Sequence, residues 1–367
     1  MDQPTEPTPN EPLRTATHPP LPLNPLKRIP LLRTATHLAD PEPTLPLRQS
    51  RHHPSSSIHP QAAEAHQQPD TNASVFFIGN ATTLLSHGRV RLLTDPNFLH
   101  HGEHVHLGPG VTATRRTDPA VPDLDSMPPI DAILLSHYHE DHFDKGVEGA
   151  LARGVPILTT PHAKGCLEAV GFERVTGLGT WEGMFMPVEG EDRQGKKSEA
   201  VRVTAMPGKH FPPGPLAVVN ELLGAVPPTN GWLVELGWVE RGEGEEGFET
   251  GYRIYISGDT LFVDELREIP ERLRGDKIDL MLVHLGGTTI PGPRMPLVMV
   301  TMDATQGVQL IRLVDPDVTV PIHFDDYDVF LSSLDEFKEE VHAAGLGDRV
   351  VYLDRGDEYR FTVRKTA

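Results

Sequence analysis

Short apolar runs separated by turn residues dominate the chain from about residue 73 onward. Runs such as 74–78 and 132–135 are bounded by Gly, Asn, Asp or Pro, which is typical of buried strands. Antiparallel strands at the front, followed by alternating strands and helices, predict a layered α/β fold with helices outside packed sheets. We predict strands at 74–78, 82–85, 90–94, 132–135, 156–159, 200–205, 232–236, 253–256, 280–283 and 318–321, and helices at 146–153, 163–170, 263–273, 303–313 and 333–344.

The first 72 residues have a different composition. Prolines recur there every few residues, and the apolar residues show no sustained period. Such a segment cannot bury enough apolar surface to offset its ordering entropy, so we predict that residues 1–72 are a disordered, proline-rich tail before a folded domain at 73–367. The string Leu-Arg-Thr-Ala-Thr-His occurs at Leu13–His18 and again at Leu32–His37. It is either a duplicated docking motif or a neutral duplication.

Composition narrows the class of protein. The formal net charge of −19 disfavours non-specific binding to nucleic acid or to an anionic membrane surface. The single cysteine excludes an intrachain disulfide and a cysteine-rich zinc site. No apolar stretch approaches the length of a transmembrane helix, and the N-terminus lacks the pattern of a secretory signal. We therefore expect a cytoplasmic protein with a small-molecule substrate. The sequence does not indicate the oligomeric state.

The densest group of chemically active residues follows the predicted strand at 132–135. Four residues of metal-binding type lie within six positions, namely His137, His139, Asp141 and His142. Neutral imidazole and carboxylate together suit zinc and similar divalent ions. The ends of buried strands are also where α/β folds collect their chemistry. The alternative interpretation is a solvated, histidine-rich loop.

Three further candidate ligands stand at the ends of later predicted strands, namely His210, Asp259 and His323. A lone histidine at a strand end is usually structural. Three such residues after a run of four ligand types favour one shared site over coincidence.

The order His-x-His-x-Asp-His, a later His, Gly-Asp-Thr and Pro-x-His resembles the metallo-β-lactamase superfamily. The flanking segments 77–85, 93–96, 135–144 and 301–304 are similar to one branch of it. That branch holds the ascorbate-phosphate lactonase-like and N-acyl-phosphatidylethanolamine phospholipase D-like proteins. The resemblance covers roughly residues 74–360 and implies a four-layer αββα sandwich. It departs at Asn80, where many relatives have a histidine.

The same resemblance implies a site for two divalent metal ions, zinc in the first place, with iron or manganese as alternatives. One ion would be held by His137, His139 and His210. The second would be held by Asp141, His142 and His323, and Asp259 would bridge the two ions. A bridging hydroxide would be the nucleophile. Asp141 would also be catalytic, because it could accept the proton of the attacking water or pass it to the leaving group.

Four other residues are candidates for the substrate pocket or for support of the ligands, namely Asn80, His284, Asp326 and Tyr327. A residue beside a ligand histidine can orient it through the free ring nitrogen. A purely structural role is the alternative for His284, and a solvated turn is the alternative for Asp326 and Tyr327.

Two interpretations concern the surroundings of the site. We interpret the histidines between residues 100 and 106 as part of a mobile loop at its mouth rather than as a third metal site. Thr301 is the predicted N-cap of the helix at 303–313.

The resemblance and the acidic character favour a hydrolase that opens a small lactam or lactone. Detoxification of a foreign compound is one biological role that fits such an activity. The alternative enzyme is a phosphodiesterase or a phospholipase D-like hydrolase. The alternative of another class is a non-enzymatic binding protein on a retained fold. That alternative is disfavoured because all seven expected ligand types are present.

Overall fold

The structure is a computed structural model that describes most of the chain beyond residue 70. The described residues are 27–28, 31–32, 43–52, 71–108, 110–189, 197–211, 214–215, 217–218, 220, 226–240, 243–292 and 295–365. In chain order the strands are β1 (Lys27–Arg28), β2 (Leu31–Leu32), β3 (Gln49–Arg51), β4 (Ala73–Gly79), β5 (Thr82–His87), β6 (Val90–Thr94), β7 (His104–His106), β8 (Thr112–Thr114), β9 (Ala132–Leu134), β10 (Ile157–Thr159), β11 (Val175–Gly177), β12 (Gly183–Glu189), β13 (Lys197–Met206), β14 (Gly231–Glu240), β15 (Glu249–Ile256), β16 (Leu280–His284), β17 (Thr289–Gly292), β18 (Met295–Met299), β19 (Val318–Ile322) and β20 (Asp357–Phe361). The α-helices are α1 (Lys145–Ala150), α2 (Pro161–Ala169), α3 (Glu268–Leu273), α4 (Ala304–Val314) and α5 (Leu334–Ala343).

Two mixed sheets form the centre of the molecule. The first has the strand order β11-β10-β9-β6-β5-β4-β20-β3. The second has the order β1-β12-β13-β14-β15-β16-β19, with β2 also paired to β12. Two small hairpins, β7–β8 and β17–β18, lie outside these sheets.

The main core lies between the two sheets. Alternate residues of each strand point inward, so Val75 and Leu85 of the first sheet and Val203 and Trp232 of the second belong to one buried cluster. Residues of opposite parity, such as Phe76, point to the outer face of the first sheet. Apolar side chains on both faces explain why the central strands read as continuous apolar runs.

Helices cover the outer face of each sheet. Buried residues of α1 and α2 pack on the first sheet, and buried residues of α3, α4 and α5 pack on the second. The result is the four-layer αββα sandwich, which confirms the predicted fold class. Within the described ranges, no helix is long and apolar enough to cross a membrane.

Each predicted strand and helix overlaps one in the structure, but several strands of the structure were not predicted. Strand β20 was not predicted because its sequence, Asp-Glu-Tyr-Arg-Phe, alternates buried and half-buried residues without forming an apolar run. Strand β12 was not predicted either. Both strands are held by pairing with neighbours that are distant in sequence, a type of contact that local patterns do not reveal.

Part of the predicted tail lies on the first sheet. Strand β3 pairs in parallel with β20, and the Arg51 Nε lies 3.1 Å from a carboxylate oxygen of the buried Asp357. Leu45 packs against the outer core of the same sheet. Most of residues 1–72, including most of both copies of the repeated motif, lies outside the described residues, and for that part disorder stays a prediction.

Two truncations separate the edge strand from the rest of the tail. A chain that begins at residue 43 loses, among the described residues, only the two-residue strands β1 and β2 from the edge of the second sheet and should melt within about 2 °C of the full chain. A chain that begins at residue 73 should melt roughly 4 °C or more lower, because it removes partners of a buried carboxylate, a loss of about 1–3 kcal/mol. Thermal unfolding of the two proteins tests this. Equal melting temperatures would show that β3 adds no stability.

His87 should make the fold sensitive to acid. Its ring is 1% exposed, stands edge-on to Trp238 at 5.1 Å and has no hydrogen-bond partner at either nitrogen. Burial, with a smaller contribution from Lys365, lowers its pKa from 6.5 to about 4. The folded state therefore favours the neutral ring. The free energy of unfolding is unaffected by protonation of His87 above pH 6.5 and decreases as the pH falls from 6.5 towards 4. The loss amounts to roughly 3 kcal/mol.

Replacement of His87 by Phe keeps an aromatic ring against Trp238 and removes the titratable group. In chelator-treated protein, we expect the wild type to lose more stability than His87→Phe between pH 7.5 and pH 4.5, measured by denaturant unfolding. Parallel curves for the two proteins would contradict a buried neutral His87.

Candidate metal centre

All seven predicted ligands lie at one edge of the sandwich, where strands of both sheets end. The first sheet supplies the loop after β9, which holds His137, His139, Asp141 and His142. In the second sheet, β13, β15 and β19 run in the same direction. The segments after these strands place His210, Asp259 and His323 opposite the β9 loop.

One group of ligand atoms is contributed by both sheets. Asp141, His142, Asp259 and His323 each offer an atom within 4.8 Å of the others, and all four residues are buried. The closest contacts join the Nε2 atoms of His142 and His323 to one oxygen of Asp259, at 3.2 and 3.5 Å. This group equals the predicted second ion site together with the predicted bridging carboxylate.

A second group lies beside the first. His137, His139 and Asp141 also offer atoms within 4.8 Å of one another. The Nε2 of His137 and the Nδ1 of His139 are 3.1 Å apart, and the His210 ring centroid lies 5.0 Å from that of His137. His139 is only half-buried, so this group faces the solvent side.

The donor atoms fit metal ions because burial leaves several of them without hydrogen bonds. Among the described residues, no hydrogen-bond partner is present for His139 Nε2, Asp141 Oδ1, His142 Nε2, His210 Nε2, Asp259 Oδ1 or His323 Nε2. Native proteins rarely leave buried polar atoms unpaired. A mixed set of imidazole nitrogens and carboxylate oxygens is the donor set of zinc and related ions.

Hydrogen bonds at the opposite ring nitrogen orient three of the histidines. The Nδ1 of His210 lies 3.0 Å from the carbonyl oxygen of Val300, and the Nδ1 of His323 lies 3.0 Å from that of Leu285. A carbonyl only accepts, so both Nδ1 atoms carry the proton and Nε2 presents a lone pair. The Nδ1 of His137 similarly contacts the Ser136 hydroxyl at 2.9 Å.

Asp95 is a functional residue that our sequence reasoning missed. One of its oxygens accepts from the Ser136 backbone N–H at 2.7 Å and from the Ser136 hydroxyl at 2.9 Å. The other lies 3.5 Å from the Nδ1 of His142. Asp95 therefore orients both histidines through Ser136, whose hydroxyl lies 2.9 Å from the Nδ1 of His137 and 3.3 Å from the Nδ1 of His142. The feature of the sequence that could have identified Asp95 is its position directly after β6, within the segment 93–96.

The Gly-Asp-Thr motif places Asp259 through a strained turn. Gly258 has φ +62°, and a Cβ there would lie 2.3 Å from the carbonyl oxygen of Asn230, so only glycine fits. Thr301 donates from its hydroxyl to Asp259 at 3.2 Å. The prediction that Thr301 caps α4 was wrong, because the Asp303 side chain accepts from the Gln306 N–H and is the N-cap.

Asn80 supports the ligand loops of both sheets. Its side-chain amide donates to the carbonyl oxygen of Asp141 at 2.7 Å, and its own carbonyl accepts from the His323 N–H at 3.0 Å. Asn80, Asp95 and His323 have φ values of 53°, 35° and 60°. Non-glycine residues in this left-handed region indicate local strain, which clusters at functional sites.

The structure places Asp326 and Tyr327 in a buried network behind the ligands. Asp326 accepts from the Asn80 N–H at 2.8 Å and forms ion pairs of 2.8 Å with both Arg115 and Arg355. The Tyr327 hydroxyl accepts from Asn97 at 2.9 Å. Both residues are 0% exposed, so neither lies in the solvated turn that was the alternative.

His284 lies beneath His142. Its ring is fully buried and nearly parallel to that of His142, with centroids 6.2 Å apart. Its Nε2 lies 4.0 Å from Asp95 and has no hydrogen bond. Burial lowers the pKa of His284 to about 3, so its ring is neutral.

The histidines between residues 100 and 106 lie apart from the ligands. His104 and His106 are exposed on the β7–β8 hairpin, which is tied to the ligand loop because the His106 N–H donates to Glu140 at 2.7 Å. Among the described residues, the groups able to hold a metal ion do not include these histidines.

The charge states of three ligands suit cation binding. Burial, then the neighbouring His142, lowers the pKa of His137 well below its ordinary value. Burial also lowers the pKa of His139 to about 4. In Asp259 burial favours the neutral acid, but His323 and His142 outweigh it and hold the pKa well below the usual range. At neutral pH these imidazoles and this carboxylate are in their unprotonated, metal-binding forms.

The pKa values of His142 and His323 shift in the opposite direction, upward. Burial lowers their pKa values, but the carboxylates of Asp259 and Asp141 outweigh it, so the pKa of both histidines is raised. A proton and a metal cation can each neutralise the carboxylates here, so the two compete.

Comparison with known proteins agrees with this geometry. Residues 91–324 match the family model described as the beta-lactamase superfamily domain. The chain is 25% identical over 287 residues to a UPF0173 metal-dependent hydrolase of Archaeoglobus fulgidus, covering 78% of this chain and 98% of that one. It is 26% identical over 274 residues to a UPF0173 metal-dependent hydrolase of Cupriavidus metallidurans, covering 71% and 79%.

Solved structures share the fold. An isothiocyanate hydrolase from Delia radicum gut bacteria has a TM-score of 0.59 at 18% identity and covers 78% of this chain and 98% of its own. A metallo hydrolase from Ignicoccus hospitalis has a TM-score of 0.51 at 18% identity, with coverages of 80% and 99%.

Two neighbouring aspartates provide a matched test of the buried network. Asp326→Ala removes a carboxylate that pairs with Arg115 and Arg355 in a fully buried position. We expect a loss of about 3–5 kcal/mol in the free energy of unfolding. Asp325→Ala removes a carboxylate that is 43% exposed and pairs with Arg355, and should cost about 1 kcal/mol or less. Equal losses in denaturant unfolding would contradict the assigned roles.

Proposed function

The chain belongs to the beta-lactamase superfamily and is a metal-dependent hydrolase of that fold, and we propose that it opens a small lactam or lactone with water activated by two divalent metal ions. Zinc is the first choice, since the ligand set contains only imidazole and carboxylate. We assign the activity to residues 73–367. The observation on which the proposal depends is the convergence of buried, unpartnered nitrogen and oxygen atoms from both sheets.

The contacts support a division of the ligands between two ions. His137, His139 and His210 would hold the ion nearer solvent, because their rings adjoin and His139 is half-buried. Asp141, His142 and His323 would hold the deeper ion. Asp259 would serve both, since it contacts His142 and His323 and has a second oxygen without a partner.

Two ions held in this way would lower the pKa of a bound water molecule to near neutral and would supply positive charge for the developing oxyanion. The chain supplies the positioning. Val300 and Leu285 hold His210 and His323 in the tautomers that present Nε2. Ser136, held by Asp95, contacts the Nδ1 atoms of His137 and His142. This preorganisation means that ligands need not reorient during the reaction.

Asp141 is the proposed proton carrier. Its Oδ1 has no hydrogen-bond partner, and its Oδ2 lies 3.6 Å from His142 and 3.7 Å from His323. The two histidines hold its pKa below the ordinary value despite burial. It is therefore a carboxylate able to accept a proton from the attacking water and to return it to the leaving nitrogen or oxygen.

Metal content and turnover together test the proposal. We expect about two zinc equivalents per chain by elemental analysis, and hydrolysis of a lactone or lactam in a panel that also contains a phosphodiester and an aryl isothiocyanate. The isothiocyanate is included because one protein of the same fold is named for that activity. His139→Ala should lower both metal content and kcat/KM, the latter by more than about 100-fold, the upper range for residues that only orient ligands.

His104→Ala is the matched control, because it removes an exposed histidine of the neighbouring hairpin and should change neither quantity. Full activity in His139→Ala, or a metal-free active protein, would refute the proposal. Turnover of the phosphodiester alone would instead favour the phosphodiesterase alternative.

A further inference from the structure

A cavity of about 620 Å³ opens beside the candidate metal ligand His210. Its described walls come from the N-terminal end of α2, from the loops around Gly179 and Gly208, and from Ala217, Asn220 and residues 226–230. A substrate whose scissile bond lies at the metal centre can therefore extend past His210 into this cavity.

Much of the described wall is apolar. Its apolar side chains are Phe211, Ala217, Val226, Pro227 and Pro228. Val226 is nearly fully buried, and its backbone N–H and carbonyl both bond to the Asn220 side chain at 2.8 Å. These bonds satisfy the amide of Asn220, so it adds little polar character to the cavity.

The main charged side chain of the described wall is already paired. Lys209 donates to Glu265, and this ion pair lies at the surface. Asn230 donates to the carbonyl oxygen of Leu178 at 2.9 Å. An anionic group in the cavity would therefore compete with Glu265 for Lys209, whereas an uncharged group would not.

Thr229 provides an unsatisfied polar group in this wall. It is 5% exposed, and its hydroxyl has no hydrogen-bond partner within the part of the chain that the structure describes. A buried hydroxyl without a partner costs free energy, and a polar atom of a bound molecule would satisfy it.

The size of the cavity indicates a substituted substrate. Binding sites of about 300–1,000 Å³ enclose drug-sized molecules, and an unsubstituted ring would leave most of this volume to water.

We propose that the cavity binds an extended, uncharged and largely apolar substituent of the ring substrate, with the Thr229 hydroxyl as a polar contact. This inference rests on the proposed hydrolase function and narrows its substrate class to neutral lactones or lactams with an aliphatic chain. Each methylene that enters an apolar wall should raise kcat/KM by roughly fourfold.

The first experiment compares γ-decalactone, γ-butyrolactone and an analogue of γ-decalactone whose chain ends in a carboxylate, all with zinc-loaded protein. We expect kcat/KM for γ-decalactone to exceed that for γ-butyrolactone by about 100-fold or more, as several buried methylenes require. The carboxylate analogue should be the poorer of the two long substrates. Equal rates for the short and long lactones, or preference for the carboxylate, would overturn the proposal.

Adjacent residues supply a matched pair of variants. Ala217→Phe puts a ring into the cavity and should lower kcat/KM for γ-decalactone at least about tenfold more than for γ-butyrolactone, since several buried methylenes lose their wall. Val218→Phe makes the same change at a neighbour that is 56% exposed and should leave the ratio unchanged. Thr229→Val should lower the rate for a long lactone whose chain carries an uncharged polar atom, such as an ether oxygen, and Thr229→Ser should restore it. Thr229→Val should not lower the rate for γ-decalactone, whose chain has no polar atom.

A binding measurement separates failure of this inference from failure of the proposed function. If no panel compound is hydrolysed, calorimetric titration with γ-decanolactam still tests the cavity. Binding to wild type and Val218→Phe but not to Ala217→Phe would uphold the inference while the hydrolase proposal fails. Hydrolysis of γ-butyrolactone without any binding of the longer lactam would leave the function intact and refute the cavity assignment.

Discussion

Buried nitrogen and oxygen atoms without hydrogen-bond partners, enclosed between two apolar sheets, are the constraint on which this structure depends. Burying an ionised carboxylate is costly unless positive charge compensates it. Asp141 and Asp259 lie side by side with His142 and His323, which places two negative charges in one buried volume. Cations, as protons or as metal ions, balance this charge, and the neighbouring imidazoles are oriented to receive metal ions.

This arrangement needs support from both halves of the sandwich. Asp95 and Ser136 hold the histidines of the first sheet. Asn80 joins the β9 loop to His323 of the second sheet and is held by Asp326. Because the site straddles the interface between the sheets, its geometry depends on their packing, and the buried ion pairs of Asp326 help to hold that packing.

Much of the fold and of the site could be predicted from local patterns. The central strands are apolar runs bounded by turn residues, and the ligand types occur at strand ends in a characteristic order. Asp95 was missed because a single aspartate before a proline also fits a plain strand stop, and only the contact with Ser136 and His142 distinguishes the two. Thr301 fits a helix cap by its local sequence, whereas its hydroxyl partner, Asp259, is 42 residues away in the chain.

Strands β20 and β3 show the same limit. Their sequences are too polar to form an apolar run, and pairing across a separation of about 300 residues makes them strands. By itself the sequence determined the fold class and the identity of the candidate ligands, because residue type and local spacing encode both. Only the tertiary structure decided which residues support the ligands and that a largely apolar cavity adjoins His210. These features arise from contacts between segments that are distant in the chain, and local sequence patterns do not predict such contacts.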